Sequence, residues 1–418
     1  MAMTTQLMSS AGYMLSALHS QAAPCATLFL RRALSSKVAA SARTLPTAFP
    51  QLSRNFASAS AAQPEVAEEV SRPGFTFPTP RGNLRSDWTR EEVAAIYNAP
   101  FLELVHEAAA VHRLANDPQM VQRCTLLSVK TGGCPEDCGY CSQSSHHKTP
   151  VKATKLMDAD EVYEAAVRAK ESGSTRFCMG TAWRGPDQVG ERQWQRVLEM
   201  VRRVRGLGLE VCTTMGMIDD KHASELADAG VTAYNHNLDT SPEYYSKITS
   251  TRKYEDRLTT LETLRRAGIS VCAGGIIGLG EETSDRVGLL TQLATLPAHP
   301  ESVPINQLVP IEGTPIGERP PNSPTVVDLV RCIATARIIM PFSVIRLSAG
   351  RKSLGLGDQA LCFLAGANSV FDGDKLLTTP NNARDEDLVM FDSLGLRSRP
   401  AFLPYAAGES TSRHGAAA

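Results

Sequence analysis

The sequence predicts an α/β chain, a closed (β/α)8 TIM-type barrel with an N-terminal helical extension. Three observations point there. From about residue 120, short β-rich runs alternate with amphipathic helical stretches. Eight such pairs follow one another. They fill about 275 residues, the size of one such barrel. The length of 418 residues also allows two or three average domains, and an open doubly wound sheet is the alternative arrangement.

The elements follow in order. Helices over 88–97 and 101–115 precede the first strand and would cap or clasp the barrel. The strands are 124–130, 175–181, 209–214, 231–238, 269–276, 303–309, 343–348 and 368–372. The helices are 158–172, 189–206, 219–229, 254–267, 283–295, 324–339, 357–366 and 383–394. Met157-Asp158, Asp219 and Ser323-Pro324 supply N-terminal caps, and Gly173, Gly230 and Gly268 supply C-terminal ones. In such barrels chemistry sits at the C-terminal ends of the strands.

The ends of the chain read differently. Residues 1–64 hold five basic residues and no Asp or Glu, leaving 38 basic against 44 acidic, a net of -6, for the remainder. An Arg- and Ser-rich, acid-free N-terminus has the pattern of an organelle transit peptide; a disordered tail is the alternative. The domain reading is therefore a presequence over 1–64, a Pro-rich linker over 65–87, a barrel over 88–400 and a flexible tail over 401–418. A net charge of -1 gives no basic footprint for nucleic acid, and no apolar run approaches the roughly 20 residues of a membrane helix.

The loop after the first strand carries Cys134, Cys138 and Cys141, spaced C-x3-C-x2-C. Three is an odd number for disulfides. Zinc would want a fourth ligand, with His146 and His147 as the local candidates. The other reading is an iron–sulfur cluster held by three thiolates, with one iron open to a small molecule. This loop, with Tyr140 as its aromatic, resembles that of the radical S-adenosylmethionine enzymes. The resemblance implies a 4Fe-4S cluster on the three cysteines and S-adenosylmethionine as co-substrate. The family's adenine motif, G-x-I-x-G-x-x-E, matches Gly274, Ile276, Gly278 and Glu281.

Cys178, Cys212 and Cys272 lie on the second, third and fifth strands. A lone strand cysteine is most often a small buried hydrophobe, but three facing inward would converge on one axis. Arg346, on the seventh strand, needs a partner inside a barrel: a carboxylate such as Asp239, or an anionic cluster. The runs STRFCMG, YNHNLDTSPE, VCAGGIIGLGE, ESVPIN and RLSAGR closely resemble the biotin synthases, over about residues 85–397. That resemblance implies a second cluster, 2Fe-2S, held by Cys178, Cys212, Cys272 and Arg346. It implies radical insertion of sulfur from that cluster into dethiobiotin, the last step of biotin formation. By the same resemblance Asn237 holds the substrate's cyclic urea and Asp239 the ribose hydroxyls of S-adenosylmethionine. Asn306 and Arg257 are further candidates at the substrate and the co-substrate. Arg176 is either near the second cluster or in an ion pair.

The resemblance also implies a homodimer, a ferredoxin-type electron donor, the iron–sulfur assembly machinery as a partner, and a mitochondrial matrix location; composition leaves a plastid open. Two other readings compete: another radical enzyme of related barrel type, and a non-catalytic iron–sulfur carrier. Cys332 and Cys362 read as helix packing, Cys25 as part of the presequence. Cys124 reads as a bystander at the inactive end of the barrel.

Overall fold

The computed structural model describes residue 82 and residues 84–402, apart from 322 and 374. The presequence reading, most of the linker, Cys25 and the tail from 403 lie outside the described residues.

Helix α1 (Arg90–Tyr97) starts at a capping box: Thr89 Oγ1 accepts from the Glu92 N–H at 3.2 Å, and Glu92 accepts from the Thr89 N–H at 2.9 Å. Helix α2 (Phe101–Ala115) follows. The barrel then runs β1 (Met120–Lys130), α3 (Ala159–Glu171), β2 (Arg176–Thr181), α4 (Glu191–Gly206), β3 (Glu210–Thr214), α5 (Asp220–Ala229) and β4 (Ala233–Asn235). A one-turn helix α6 (Pro242–Tyr245) precedes α7 (Tyr254–Arg266). Next come β5 (Ser270–Cys272), β6 (Gly275–Ile277), α8 (Thr283–Ala294), β7 (Ser302–Gln307), the single turn α9 (Pro315–Glu318) and α10 (Val326–Ile339). The chain ends through β8 (Val344–Leu347), α11 (Leu356–Leu364), β9 (Ser369–Asp372), the hairpin β10 (Lys375–Leu376) and β11 (Thr379–Pro380), α12 (Arg384–Leu394) and β12 (Arg397–Ser398).

All barrel pairings are parallel, and β9 pairs with β1, so the sheet closes. Strands β5 and β6 are two halves of one barrel strand. The break falls at Gly274, where a Cβ would stand 2.0 Å from the Pro304 carbonyl oxygen. Only glycine permits that approach. Counted so, eight strands make the barrel, as predicted, and every predicted helix is present.

The helices bury one stripe each. On α4 the buried positions are Trp194, Val197, Leu198, Met200, Val201 and Val204, which fall on one side of the helix. The predicted caps hold at Asp219, whose carboxylate accepts from the His222 N–H at 2.8 Å, and at Asp158, paired with Glu161. One shifts: α10 is capped by Thr325 rather than Ser323-Pro324. Gly173, Gly230 and Gly268 take left-handed backbone at helix ends.

The register sets the site. Cys178 lies opposite Cys212, Asn235 opposite Cys272, Pro304 opposite Arg346, and Arg346 opposite Ser369. Below them Arg176 and Glu210 pair across the barrel floor, with Nε–Oε2 at 2.8 Å and Nη2–Oε2 at 2.7 Å. Arg176 is thus in an ion pair, and it also lies near enough to Cys212 for its charge to act on that thiol. Gln122 and the Phe402 N–H also donate to Glu210, at 3.1 and 2.8 Å, so the chain is still seated on the floor at Phe402.

Candidate active site

The C-terminal mouth of the barrel opens into a cavity of about 340 Å³. Cys134, Cys138, Tyr140 and Cys141 line one wall, and Asn235, Asn237, Asp239, Arg257, Ile276 and Asn306 line others. A smaller inner chamber of about 100 Å³ lies below, lined by Cys178, Cys212 and Arg346 among others. The two share Leu126, Thr181, Thr214, Asn235, Arg346 and Phe371 as wall residues, so they adjoin.

The outer loop is stiff. The Cys134 N–H donates to Gln143 O at 2.9 Å, and Cys134 O accepts from Ser145 at 2.7 Å. Gly139 bonds the backbone of Ile248 and of Ile316, at 2.8 and 3.0 Å. Glu136 is buried and takes Arg184 at 2.7 Å. Asp137 accepts from the Ser250 and Thr251 N–H groups and from three hydroxyls of residues 249–251. Burial alone would raise its pKa; the bonds from Ser250 and Thr249 outweigh it and hold the carboxyl well below the usual range. Arg252 approaches Cys138 Sγ at 3.8 Å. Burial pushes the Cys141 thiol up to about 12 and raises Cys134 as well.

Both local candidates for a fourth ligand are turned away. His146 Nε2 meets Pro135 O and His147 Nε2 meets Cys138 O, each at 3.0 Å. Among the described residues no three His, Cys, Asp or Glu side chains converge on the spacing of a single ion. Three thiols without a fourth local ligand fit a cluster whose ligands bind different irons.

On the opposite wall the polar residues have definite free atoms. Asp239 takes left-handed backbone, φ 68°, which Asp tolerates better than most residues. Its Oδ2 accepts from Tyr140 at 2.9 Å and from Arg257. Oδ1 takes no bond among the described residues and is left to the cavity. Arg257 is buried, bonding Tyr245 Oη at 2.6 Å and Asn237 O at 2.5 Å as well. Asn237 Oδ1 accepts from Asn235 at 3.1 Å and from the Gly274 N–H at 3.2 Å, which leaves its Nδ2 as a donor toward the cavity. Asn306 is committed to backbone, donating to Gly275 O at 3.0 Å and accepting from Ala349 at 3.3 Å.

The glycine motif divides. Ile276 lines the cavity; Gly274, Gly278 and Glu281 do not. Gly274 serves strand approach, and Pro324 and Leu308 fill the space beside Gly278. Glu281 accepts from the Gly278 and Leu279 N–H groups and holds the turn after β6.

In the inner chamber Cys212 reaches both Cys178 and Cys272. Those neighbours and the charges of Arg176 and Arg346 hold its thiol below its ordinary pKa despite burial. Arg346, 1% exposed, has no carboxylate partner among the described residues. Its Nη1 is 3.6 Å from Cys272 Sγ, its Nη2 3.4 Å from Cys124 Sγ and 3.3 Å from Gln122 Oε1, and its Nε 3.0 Å from Ser369 Oγ. The expected partner Asp239 belongs to Arg257 instead, because it sits at the mouth and not in the barrel's centre.

The bystander reading of Cys124 is likewise corrected. Strand β1 begins at Met120, four residues before the predicted start, so Cys124 lies inside the barrel rather than at its end. It faces inward with Gln122. Period-two parity along β1 is the signal that finds it. Sequence reasoning also missed the bracing roles of Glu136, Arg252 and Tyr245. It missed Leu377, on the turn between β10 and β11, which lines both chambers. Cys332 and Cys362 are packed in helices, as expected.

Residues 128–294 match the Radical SAM superfamily, and residues 304–397 match the Biotin and Thiamin Synthesis associated domain. The mitochondrial biotin synthase of Arabidopsis thaliana is 55% identical over 323 residues, 77% of this chain and 84% of that protein. The biotin synthase of Acinetobacter calcoaceticus is 58% identical over 318 residues, 76% of this chain and 95% of that protein. The crystal structure of methylornithine synthase shares the fold, with a TM-score of 0.63 at 18% identity over 74% of this chain and 94% of that one. On identity above one half, across most of its length and of theirs, the chain belongs to the biotin synthase family.

Proposed function

We propose that the two adjoining chambers divide one reaction: the outer one generates a radical and holds dethiobiotin, and the inner one holds the sulfur that joins its two unactivated carbons. The chain is a sulfurtransferase of the biotin synthase family, with 4Fe-4S and 2Fe-2S clusters as cofactors and S-adenosylmethionine as co-substrate. The observation that carries the division is that Cys134, Cys138 and Cys141 line the mouth while Cys178 and Cys212 line the inner chamber, with Arg346 in the wall the two share and Cys272 beside it.

When bound, the outer cluster supplies the electron that cleaves the sulfonium and the inner one supplies sulfur. The residues do the rest. Cys134, Cys138 and Cys141 would hold the outer cluster, which would bind the co-substrate. Asp239 Oδ1 is the free acceptor for a ribose hydroxyl, and Arg257 and Tyr140 fix that carboxylate in place. Ile276 offers an apolar wall to the adenine. Asn237 Nδ2 donates to the urea carbonyl, held in orientation by Asn235 and Gly274. Asn306 keeps the wall between β6 and the loop after β8 in place. The barrel walls hold substrate and co-substrate against each other, so that a carbon radical meets the intended C–H bond before any other hydrogen-atom donor.

The reading extends to its setting. The acid-free residues 1–64 and the mitochondrial relative support delivery to the mitochondrial matrix. A ferredoxin-type donor would supply electrons, the assembly machinery would rebuild the inner cluster, and the chain would act as a homodimer.

Anaerobic reconstitution followed by S-adenosylmethionine, a reductant and dethiobiotin tests the reading. Biotin and 5′-deoxyadenosine are expected together. Deoxyadenosine without biotin, with both clusters present, would contradict it, and no reductive cleavage at all would favour a carrier.

A further inference from the structure

Cys124 has no task in the account above, yet it stands in the inner wall. It is fully buried, in register with Arg176 on one side and Phe371 on the other. Its Sγ is 3.4 Å from Arg346 Nη2, and Cys124, Cys178 and Cys212 pack in one buried cluster. Cys178 reaches Cys212, Cys212 reaches Cys272, and Arg346 Nη1 closes the circuit 3.6 Å from Cys272 Sγ. The ring holds four thiols and one guanidinium, where the assigned set uses three thiols and the guanidinium.

The chemistry of the two extra candidates is unequal. A thiolate is a soft anionic donor well suited to iron–sulfur sites. A guanidinium stays protonated and offers five N–H donors with no acceptor. Arg346 reaches the chamber on a long side chain, so its truncation would open space directly beside Cys124. We propose that Cys124 is a reserve ligand of the inner site: it flanks Arg346 in the intact protein and becomes the fourth cluster ligand when Arg346 is removed. The inference rests on the inner-cluster assignment of the preceding section. If Cys124 is only core filling, loss of Arg346 leaves a site with three ligands.

The test uses the full chain, reconstituted anaerobically with iron and sulfide, as wild type, Arg346→Ala, Cys124→Ser and the double variant. Iron and acid-labile sulfide content, visible absorption and Mössbauer spectra report the inner cluster. The outer cluster in the same sample reports folding. Arg346→Ala is expected to keep the inner cluster, with its spectrum shifted toward that of a four-thiolate 2Fe-2S site. Cys124→Ser keeps it with the wild-type spectrum or a small shift. The double variant loses the inner cluster and keeps the outer one. Loss of the inner cluster in Arg346→Ala, or its retention in the double variant, overturns the proposal. Where Arg346→Ala fails to hold the outer cluster, Arg346→Lys and its Cys124→Ser double carry the same comparison. Failure of both Arg346 variants to fold also overturns it, since a working reserve ligand leaves the barrel intact. A wild-type chain that loads only the outer cluster defeats the inner-cluster assignment itself, a distinguishable result.

Discussion

Asp137 anchors the outer cysteine loop, and its replacement by Ala should loosen that loop while leaving the inner chamber alone. Four of its bonds converge on Oδ1: Thr249 Oγ1 at 2.8 Å, the Ser250 N–H at 2.9 Å, Thr251 Oγ1 at 3.0 Å and the Thr251 N–H at 3.2 Å. The Ser250 hydroxyl takes Oδ2. A hydrogen bond to a charged group contributes about 1.5–3 kcal/mol. These bonds share one partly exposed carboxylate, so their sum is discounted to about 2–3 kcal/mol. That raises the population of the open loop about 30- to 150-fold. The assay is the rate at which an iron chelator bleaches the outer cluster under anaerobic conditions, with the inner cluster as internal reference. Asp137→Asn keeps an oxygen acceptor without the charge and should fall between Ala and wild type. A wild-type extraction rate for Asp137→Ala would refute the anchoring argument.

Three further outcomes follow from the site. Arg257→Lys cannot serve Asp239, Tyr245 and Asn237 O at once. The dissociation constant for S-adenosylmethionine should rise about tenfold, for a loss of about 1.4 kcal/mol; equilibrium dialysis showing no change would count against it. Asn237→Asp exchanges a donor for an acceptor toward the urea. Dethiobiotin affinity should fall about 10- to 100-fold by calorimetry, with S-adenosylmethionine affinity held within about twofold. Glu210→Ala leaves Arg176 buried without its carboxylate, a cost of about 3–5 kcal/mol. For a barrel of about 300 residues that lowers Tm by about 5–8 °C, and a fall under about 2 °C by scanning fluorimetry would contradict the estimate.

The barrel was legible because periodicity reports burial directly. The helices show the single stripe that packing requires, and the strands, some of them buried at every position, show as short β-rich runs between them. What escaped lacks periodicity. Pro242–Tyr245 and Pro315–Glu318 are single turns, and the hairpin at Lys375–Leu376 has strands of two residues. Strand β4 ends at Asn235, short of the predicted 238, because the chain bends toward the left-handed Asp239. Gly274 splits the fifth barrel strand for the sake of one close carbonyl.

The site was legible by type more than by partner. Three cysteines on separate strands suggested convergence on one axis, the family resemblance added Arg346 to them, and the loop motif placed the other three cysteines at the mouth. Partners depend on depth, which sequence does not report. Asp239 and Arg346 share an inward face but sit at different levels, so Arg257 takes the carboxylate. A strand start set four residues late moved Cys124 from the centre of the barrel to its end. Of the glycine motif Ile276 lines the cavity, while Gly274 and Glu281 hold the strand and turn behind it.

In the proposed division of labour, sulfur leaves the inner chamber and reaches a substrate held in the outer one. The measurement is a single turnover of full chain reconstituted with isotopically heavy sulfide, in medium containing ordinary sulfide, for wild type and Cys272→Ala. Wild type should yield biotin carrying the heavy isotope. Cys272→Ala should keep the 4Fe-4S spectrum, lose the 2Fe-2S spectrum and form 5′-deoxyadenosine without biotin. Light sulfur in the wild-type product, or biotin from Cys272→Ala, would contradict the account.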